Sequence, residues 1–162
     1  ILIDDIKHNI SLAALRDYFS ERGVINQYEE ILSANEYKKK IGIKAKTVEQ
    51  QVGALSGGNQ QKVVLAKWMV TEPDILILDE PTRGIDVGAK YEVHCIINDL
   101  AKAGKGIIFI SSEMPEIIGM CDRVYILNEG EIIGELTKEE LSQEKIMKYI
   151  ISHQGRRKHN GK

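Results

Sequence analysis

The chain has 162 residues, 43% of them hydrophobic and 28% charged, which predicts one globular domain of ordinary composition. Its net charge of −2 does not favour binding to nucleic acid or to an anionic membrane. No run of eighteen apolar residues occurs, so no membrane span is predicted. Cys95 and Cys121 form neither a disulfide framework nor a metal spacing, and we expect two buried thiols in a reducing, cytoplasmic setting.

The first part of the chain predicts helices. Apolar residues recur between positions 4 and 19, as in one helix or two helical pieces. Asn26 with Glu29 three residues later is typical of a helix start, and the lysines at 38–40 suit the end of that helix. Residues 42–54 read as a polar linker.

A serine and two glycines precede the next predicted helix, whose apolar positions include Val63, Val64, Ala66 and Val70. Ser56, Gly57 and Gly58 therefore lie at or just before a helix N-terminus, where free backbone N–H groups and the helix dipole favour an anion. The glycines let a phosphate approach the backbone, and the serine adds a hydroxyl donor. Alternatively, the serine is only an N-cap and the glycines only a turn.

Two carboxylates follow a short apolar segment at 75–78, which predicts a strand buried on both faces of a parallel sheet. Asp79 and Glu80 then fall at the C-terminal edge, where open α/β sheets hold ligands. One carboxylate can hold Mg²⁺ through water, and the next can orient or deprotonate an attacking water. The alternative is a polar strand end before a turn at Pro81.

The remaining sequence alternates between predicted helices and strands. After a polar loop at 82–86, the predicted elements are a helix at 87–103, a second buried strand at 106–111, a short helix at 114–120 and a β-hairpin of strands 123–127 and 131–135. A capping box at 137–140 predicts a helix running through Ile150. Residues 153–162 are polar and basic, and we expect a disordered tail.

Three segments together resemble one family. They are Leu-Ser-Gly-Gly-Asn-Gln-Gln-Lys from Leu55, Asp-Glu-Pro-Thr-Arg-Gly-Ile-Asp-Val-Gly from Asp79 and Ile-Ser-Ser-Glu-Met-Pro-Glu from Ile110. They are similar to the signature motif, the Walker B strand with the D-loop, and the switch region of ATP-binding cassette ATPases. The form of these motifs resembles the second cassette of twin-cassette sugar-importer ATPases, over roughly residues 5–150.

The resemblance implies an α/β fold, a partial P-loop nucleotide triphosphatase core with a helical subdomain. Residues 1–152 would be the C-terminal portion of a cassette, with a helical and signature subdomain at about 1–70 and a Walker B core at 71–152. The phosphate-binding Gly-x-x-x-x-Gly-Lys-Ser/Thr pattern does not occur in the sequence. We therefore expect a fragment of a longer protein that lacks the Walker A half and is inactive alone.

The resemblance also implies roles for individual residues. The signature would complete the ATP site of a partner cassette; its residues are Leu55, Ser56, Gly57, Gly58, Asn59 and Gln60. Asp79 would hold Mg²⁺ through water, Glu80 would polarise the attacking water, and Asp86 would communicate across the interface. Glu113 stands where most cassettes have a switch histidine. It implies a degenerate ATP site or a side chain that points away from the site.

The implied function is ATP hydrolysis coupled to carbohydrate import, with ATP and Mg²⁺ as cofactors. The implied partners are a second cassette, in the same chain or in a homodimer, membrane permease subunits and, indirectly, a sugar-binding protein; nucleic acid is not among them. The location would be peripheral, on the cytoplasmic face of the membrane. Two alternatives are a catalytically degenerate nucleotide-sensing or assembly module and, more weakly, a cassette ATPase of translation or repair.

Overall fold

The computed structural model describes residues 1–21 and 23–160, and their side chains except those of Glu21 and residues 154–160. The chain forms two compact units, Ile1–Ile108 and Phe109–Lys162. Helices and strands are mixed in order along the chain, so the predicted α/β class is confirmed. No helix among the described residues has the length and apolar character needed to cross a membrane.

The first unit contains five helices, a 3₁₀ turn and the first strands. In chain order these are α1 (Ile6–Ser11), α2 (Leu15–Tyr18), β1 (Ser20–Glu21), β2 (Val24–Ile25), α3 (Gln27–Lys40), a 3₁₀ turn (Val52–Ala54), α4 (Gly57–Met69), β3 (Ile75–Asp79), α5 (Val87–Lys102) and β4 (Gly106–Ile110), whose last residues pass into the second unit.

Local capping sets where the early helices begin. The Asp5 side chain accepts the backbone N–H of His8 and starts α1. The Asn26 side chain accepts the N–H groups of Tyr28 and Glu29, which confirms the predicted start of α3. The segment 4–19 forms two helical pieces rather than one, and the short antiparallel pair β1–β2 that follows was not predicted.

Helix α1 packs against α3 and α4, and this packing decides which faces are buried. The sequence placed Val64 on the apolar face of its helix, but this side chain is 46% exposed. That part of the prediction is wrong, because the sides that contact neighbouring helices carry other residues. The buried apolar residues of α3 and α4 are Ala34, Tyr37, Val63, Leu65, Ala66 and Met69.

The segment 42–54 is more than a polar linker. Its backbone bonds to the start of α1: the N–H of Ile6 donates to the Gln50 carbonyl, and the N–H of Lys7 donates to the Val48 carbonyl. Three of its side chains are buried, namely Ile43, Val48 and Val52. The segment is therefore fixed against the helices before it reaches the glycine-rich turn.

Strands β3 and β4 pair in a two-stranded sheet. Burial alternates along β3: Leu76 and Leu78 are buried, whereas Ile75 and Ile77 are 63% and 67% exposed. Ile108 of β4 is also 50% exposed. The predictions that β3 is buried on both faces and that β4 is a second buried strand are wrong for the described residues, because one face of the sheet has no covering element among them.

The second unit is a β-hairpin covered by helices. It contains α6 (Met114–Met120), β5 (Arg123–Asn128), β6 (Glu131–Thr137) and α7 (Gln143–Asn160). The antiparallel β5–β6 pair is confirmed, and its turn residues Glu129 and Gly130 both have positive φ, as a type I′ hairpin turn requires. Its core comprises Ile126, Leu136 and Ile146.

The last helix starts and ends later than the sequence predicts. The N–H of Thr137 contacts the Glu140 carboxylate at 3.4 Å, but this contact closes a turn, and α7 begins at Gln143, where Ser142 accepts the N–H of Lys145. The helix runs to Asn160, through most of the segment predicted as a disordered tail; residues 161–162 lie outside the described residues.

Candidate nucleotide-binding site

The glycine-rich turn lies where the sequence places it, at the start of α4. Ser56 is the N-cap residue, with extended backbone (φ −63°, ψ 154°), and its side chain makes no capping bond to its own helix. The side chain is exposed. The first N–H groups of a helix have no acceptor within that helix, so this end presents donors and the positive end of a dipole. Its geometry suits an anion.

The polar side chains of the turn are engaged within the chain. The Asn59 amide Nδ2 donates to Ser56 Oγ at 2.8 Å, and Asn59 Oδ1 accepts the backbone N–H of Lys44 at 2.7 Å. The Gln60 amide Nε2 donates to the Leu55 carbonyl at 3.0 Å, and the Leu55 side chain is buried. Of the predicted signature side chains, only Ser56 is both exposed and able to donate outward.

The glycines of this turn contact the segment that precedes α5. A Cβ on Gly57 would lie 3.3 Å from Ile85 Cγ2, and a Cβ on Gly58 would lie 2.3 Å from the Ala89 Cβ. Gly58 is buried. It is therefore required for the close packing of α4 on α5, a role that the sequence reasoning did not include.

The loop before α5 is adjacent to the glycine-rich turn. Gly57 and Gln60 line a shared cavity of about 300 Å³ with Arg83 and Ile85. Asp86 is the N-cap of α5, and its carboxylate accepts the N–H of Ala89 at 2.9 Å. The structure thus brings together two of the three predicted motifs, residues 55–60 and 82–86.

The paired carboxylates follow β3 directly. Asp79 is the last residue of the strand and is exposed, whereas Glu80 is half-buried and has a φ of +47°. Positive φ is unfavourable for a residue with a Cβ; residues of this kind occur in tight turns and also cluster at functional sites. The chain then turns through Pro81 and the fully buried Thr82 into the loop before α5.

Asp79 offers one exposed carboxylate rather than a closed set of ligands. Among the described residues, the group of three that could share an ion is Asp4, Asp5 and His8, at the chain start. A single carboxylate fits Mg²⁺, which keeps several waters and takes phosphate oxygens as further ligands. The residues present are thus compatible with a nucleotide-bound magnesium ion.

Glu113 belongs to the second unit. It is exposed and precedes α6, and its N–H donates to Ser111 Oγ at 3.0 Å. That hydroxyl in turn donates to the buried Glu116 at 2.8 Å. This local network fixes the backbone of the turn that carries Glu113.

A buried lysine supports the glycine-rich turn and was missed in the sequence. Lys62 on α4 is 3% exposed; its Nζ donates to the Gly42 carbonyl at 2.9 Å and lies 2.6 Å from the Glu92 carboxylate on α5. The hydrogen bond from Lys62 holds the pKa of Glu92 below its usual value. Lys44 contacts the other oxygen of Glu92 at 3.4 Å. A lysine among the buried positions of a helix is the sequence signal that could have revealed this cluster.

The cysteines are less buried than expected. Cys95 and Cys121 are both free thiols of intermediate exposure, so the prediction of two buried thiols is wrong. Partial burial still raises the pKa of the Cys121 thiol. Neither cysteine lies in the glycine-rich turn or in the loop before α5.

Comparison with known proteins identifies the family. Residues 6–83 match the model described as ABC transporter. The L-arabinose transport ATP-binding protein AraG of Geobacillus stearothermophilus is 57% identical over 150 residues, which are 93% of this chain and 29% of that protein. The chain belongs to the ATP-binding cassette family. A second relative, the xylose import ATP-binding protein XylG of Geobacillus kaustophilus, is 54% identical over 91% of this cassette chain and 29% of the relative.

Solved structures agree on the fold. The ATP-binding cassette MJ0796, described as a dimer in a post-hydrolysis state with ADP and Pi, superposes with a TM-score of 0.70 at 23% identity. The match covers 85% of this chain and 58% of that one. The cassette chain described here therefore has the cassette fold over the part it contains, and it spans less than a third of the length of its curated relatives.

Proposed function

We propose that this chain works in the ATP-binding and ATP-hydrolysing subunit of a carbohydrate importer. The observation that carries the proposal is the start of α4, where an exposed serine hydroxyl is not used to cap its own helix. The named relatives are ATP-binding proteins of arabinose and xylose transport, which supports a sugar as cargo and leaves the particular sugar open.

In this proposal the start of α4 binds the ATP held by a partner cassette. Backbone N–H groups at Gly57 and Gly58 and the Ser56 hydroxyl face the terminal phosphate, whose developing negative charge they stabilise. Leu55, Asn59 and Gln60 shape the turn through the internal bonds described above. The dimeric state given for MJ0796 supports a second cassette as partner.

The carboxylates after β3 serve the cassette's own nucleotide. Asp79 would hold Mg²⁺ through water, and an ion held there would supply positive charge against the phosphates. Glu80, fixed by its left-handed backbone, accepts a hydrogen bond from the attacking water and orients it. Asp86 fixes the start of α5, so that the loop it ends meets the partner cassette in a defined conformation.

The import names of the relatives support further partners: membrane permease subunits and, through them, a sugar-binding protein. The cassette would then lie at the cytoplasmic face of the membrane as a peripheral subunit. Coupling follows if nucleotide-driven closure of the two cassettes moves the permease.

The test is Glu80→Gln in the assembled transporter. Because the amide cannot take up a proton, ATP turnover should fall by about 100- to 10,000-fold while ATP binding is retained. Glu36→Gln, the same chemical change on the exposed surface of α3, is the matched control and should leave turnover unchanged. Unchanged turnover and transport in Glu80→Gln would contradict hydrolysis at this site.

A second candidate is a catalytically degenerate module that senses nucleotide through its signature face. The glutamate at position 113 favours it, because an ionised carboxylate cannot donate to a phosphate and repels it. In this case Glu80→Gln leaves transport unchanged, whereas Ser56→Ala still impairs it. The pair of variants therefore separates the two functions.

A further inference from the structure

The Ser56 hydroxyl has a fixed hydrogen-bond direction, and the residue that fixes it is Asn59. The usual arrangement at a helix start has the N-cap side chain accept a backbone N–H of the first turn. Here Ser56 makes no such bond; its Oγ accepts the side-chain amide of Asn59 at 2.8 Å instead. The serine and the residue three positions later are thus joined through their side chains.

The orientation of the Asn59 amide follows from its other partner. The backbone N–H of Lys44, 2.7 Å away, can only donate, so the atom facing it must be the carbonyl oxygen Oδ1. The amide nitrogen then faces Ser56 and can only donate to it. A flipped amide would place two donors against each other at the Lys44 contact.

The hydrogen bond from Asn59 determines what the Ser56 hydroxyl can do next. A hydroxyl has one hydrogen to donate, and when its oxygen accepts the Asn59 amide that hydrogen is left for another acceptor. Ser56 is exposed, so the acceptor can come from outside the chain. The arrangement presents a donor, which suits a phosphate oxygen and disfavours a ligand that itself donates.

The Lys44 backbone is held in place by the buried lysine cluster. Lys62 Nζ binds the Gly42 carbonyl two residues earlier, and Gly42 has a φ of +64°, a backbone conformation that favours glycine. Glu92 on α5 contacts both Lys62 and the Lys44 side chain. The position of the Lys44 N–H therefore depends on the packing of α4 against α5.

We propose that Asn59 is a positioning residue that turns the Ser56 hydroxyl outward as a hydrogen-bond donor to a phosphate oxygen of a nucleoside triphosphate. The proposal rests on the function given above for the α4 start. Asn59 itself then does not contact the nucleotide; it acts through Ser56, with the Lys44 N–H as its anchor.

The experiment is a double-mutant cycle on ATP hydrolysis in the assembled transporter. Ser56→Ala should lower kcat by about 100-fold, because a donor to the transition state is lost. Asn59→Asp should lower it at least as much, since a carboxylate accepts from both Lys44 and Ser56 and so draws the hydroxyl hydrogen inward. Asn59→Ala, which frees the hydroxyl to rotate, should cost about 3- to 10-fold.

The double variants measure the coupling between positions 56 and 59. In the Ser56→Ala background, Asn59→Ala should not lower kcat any further. Asn59→Asp should lower it only by the factor that an added negative charge causes at this place. Gln61→Glu, which adds the same charge two residues further along α4, measures that cost. In the Asn59 variants, kcat should change more than KM for ATP. Misfolding would instead lower the amount of assembled transporter, and would not produce this difference between kcat and KM.

The outcomes separate the two proposals. If Ser56→Ala hydrolyses ATP like the wild type, the function proposed for the α4 start is wrong. If Ser56→Ala is impaired but the Asn59 substitutions cost the same factor with and without the serine hydroxyl, the function stands and the positioning role is wrong. Coupling between the two sites, with Asn59→Asp worse than Asn59→Ala, supports both.

Discussion

Two helices begin side by side in this cassette, and their first residues use their side chains in opposite ways. At the start of α5 the Asp86 carboxylate accepts the N–H of Ala89, so the cap closes on its own helix. At the start of α4 Ser56 makes no bond of that kind and accepts the Asn59 amide. The two starts meet where Gly58 approaches Ala89.

The difference shows why a helix N-terminus alone does not define an anion site. Both helices present N–H groups and a positive dipole end. At α5 a negative carboxylate already occupies that position and would repel a phosphate. At α4 the neutral Ser56 keeps its hydrogen for an external acceptor. The identity of the N-cap residue and its partners therefore decides which of two adjacent helix starts suits a nucleotide.

The largest expected effect comes from breaking the contact between the two starts. Gly58→Ala places a Cβ 2.3 Å from that of Ala89, and should destabilise the protein by about 1–3 kcal/mol. Adding Ala89→Gly should restore most of the loss in thermal unfolding. The control is Gly119→Ala in α6, where an added Cβ would meet no atom within 4 Å outside its own stretch of helix. A Gly58→Ala protein as stable as the wild type would show that the two helices can separate freely.

Removing the buried lysine tests whether the cluster holds the two helices in register. Lys62→Met keeps the apolar stem but leaves the Gly42 carbonyl without its donor, and we expect a loss of about 1–2 kcal/mol. Chemical unfolding measures the change, with Lys39→Met on the exposed side of α3 as control. Equal stability of the two variants would mean that water replaces the lysine without cost.

Alanine substitutions at the two N-cap residues, Asp86 and Ser56, should separate an effect on stability from an effect on ATP turnover. Asp86→Ala removes a side-chain cap and should cost about 1 kcal/mol of stability. Ser56→Ala removes no cap and should cost less than about 0.5 kcal/mol, while it impairs ATP turnover far more than its stability loss explains. Parallel unfolding and ATPase measurements test this. A larger stability loss for Ser56→Ala than for Asp86→Ala would reverse the comparison.

The smallest effect concerns pH. The hydrogen bond from Lys62 lowers the pKa of Glu92 in the folded protein from its ordinary value of 4.5. A lowered folded pKa stabilises the protein above the unfolded value, and this contribution is lost as pH falls through the folded value. In urea unfolding between about pH 3 and pH 6, the free energy of unfolding should therefore fall less steeply with decreasing pH for Glu92→Gln than for the wild type.

Sequence patterns predicted the local elements well. Asn26 and Asp86 start their helices, the hairpin turns at Glu129 and Gly130, and Asp79 ends a strand. Each of these depends on residues close together in the chain. The start of α7 was misplaced because two capping patterns, at Thr137 and at Ser142, compete within six residues and local sequence does not rank them.

Burial was predicted less well, since it depends on which elements lie alongside. The apolar segments of β3 and β4 indicated strands covered on both faces, yet Ile75 and Ile77 are exposed among the described residues. Helix α4 shows the same error in two residues. Its apolar Val64 is half-exposed. Its charged Lys62 is buried, because Glu92 and the Gly42 carbonyl bind the ammonium group.

The sequence by itself determined the order of the longer helices and strands, the helix starts at Asn26 and Asp86, and the place of a serine and two glycines before a helix and of two carboxylates after a strand. Those features follow from backbone preferences within a few residues. Only the tertiary structure decided that Gly58 packs on Ala89 and that Asn59 binds the Lys44 N–H and so directs the Ser56 hydroxyl. The contacts of Gly58 with Ala89 and of Asn59 with Lys44 join residues far apart in the chain, and their geometry depends on how the helices pack.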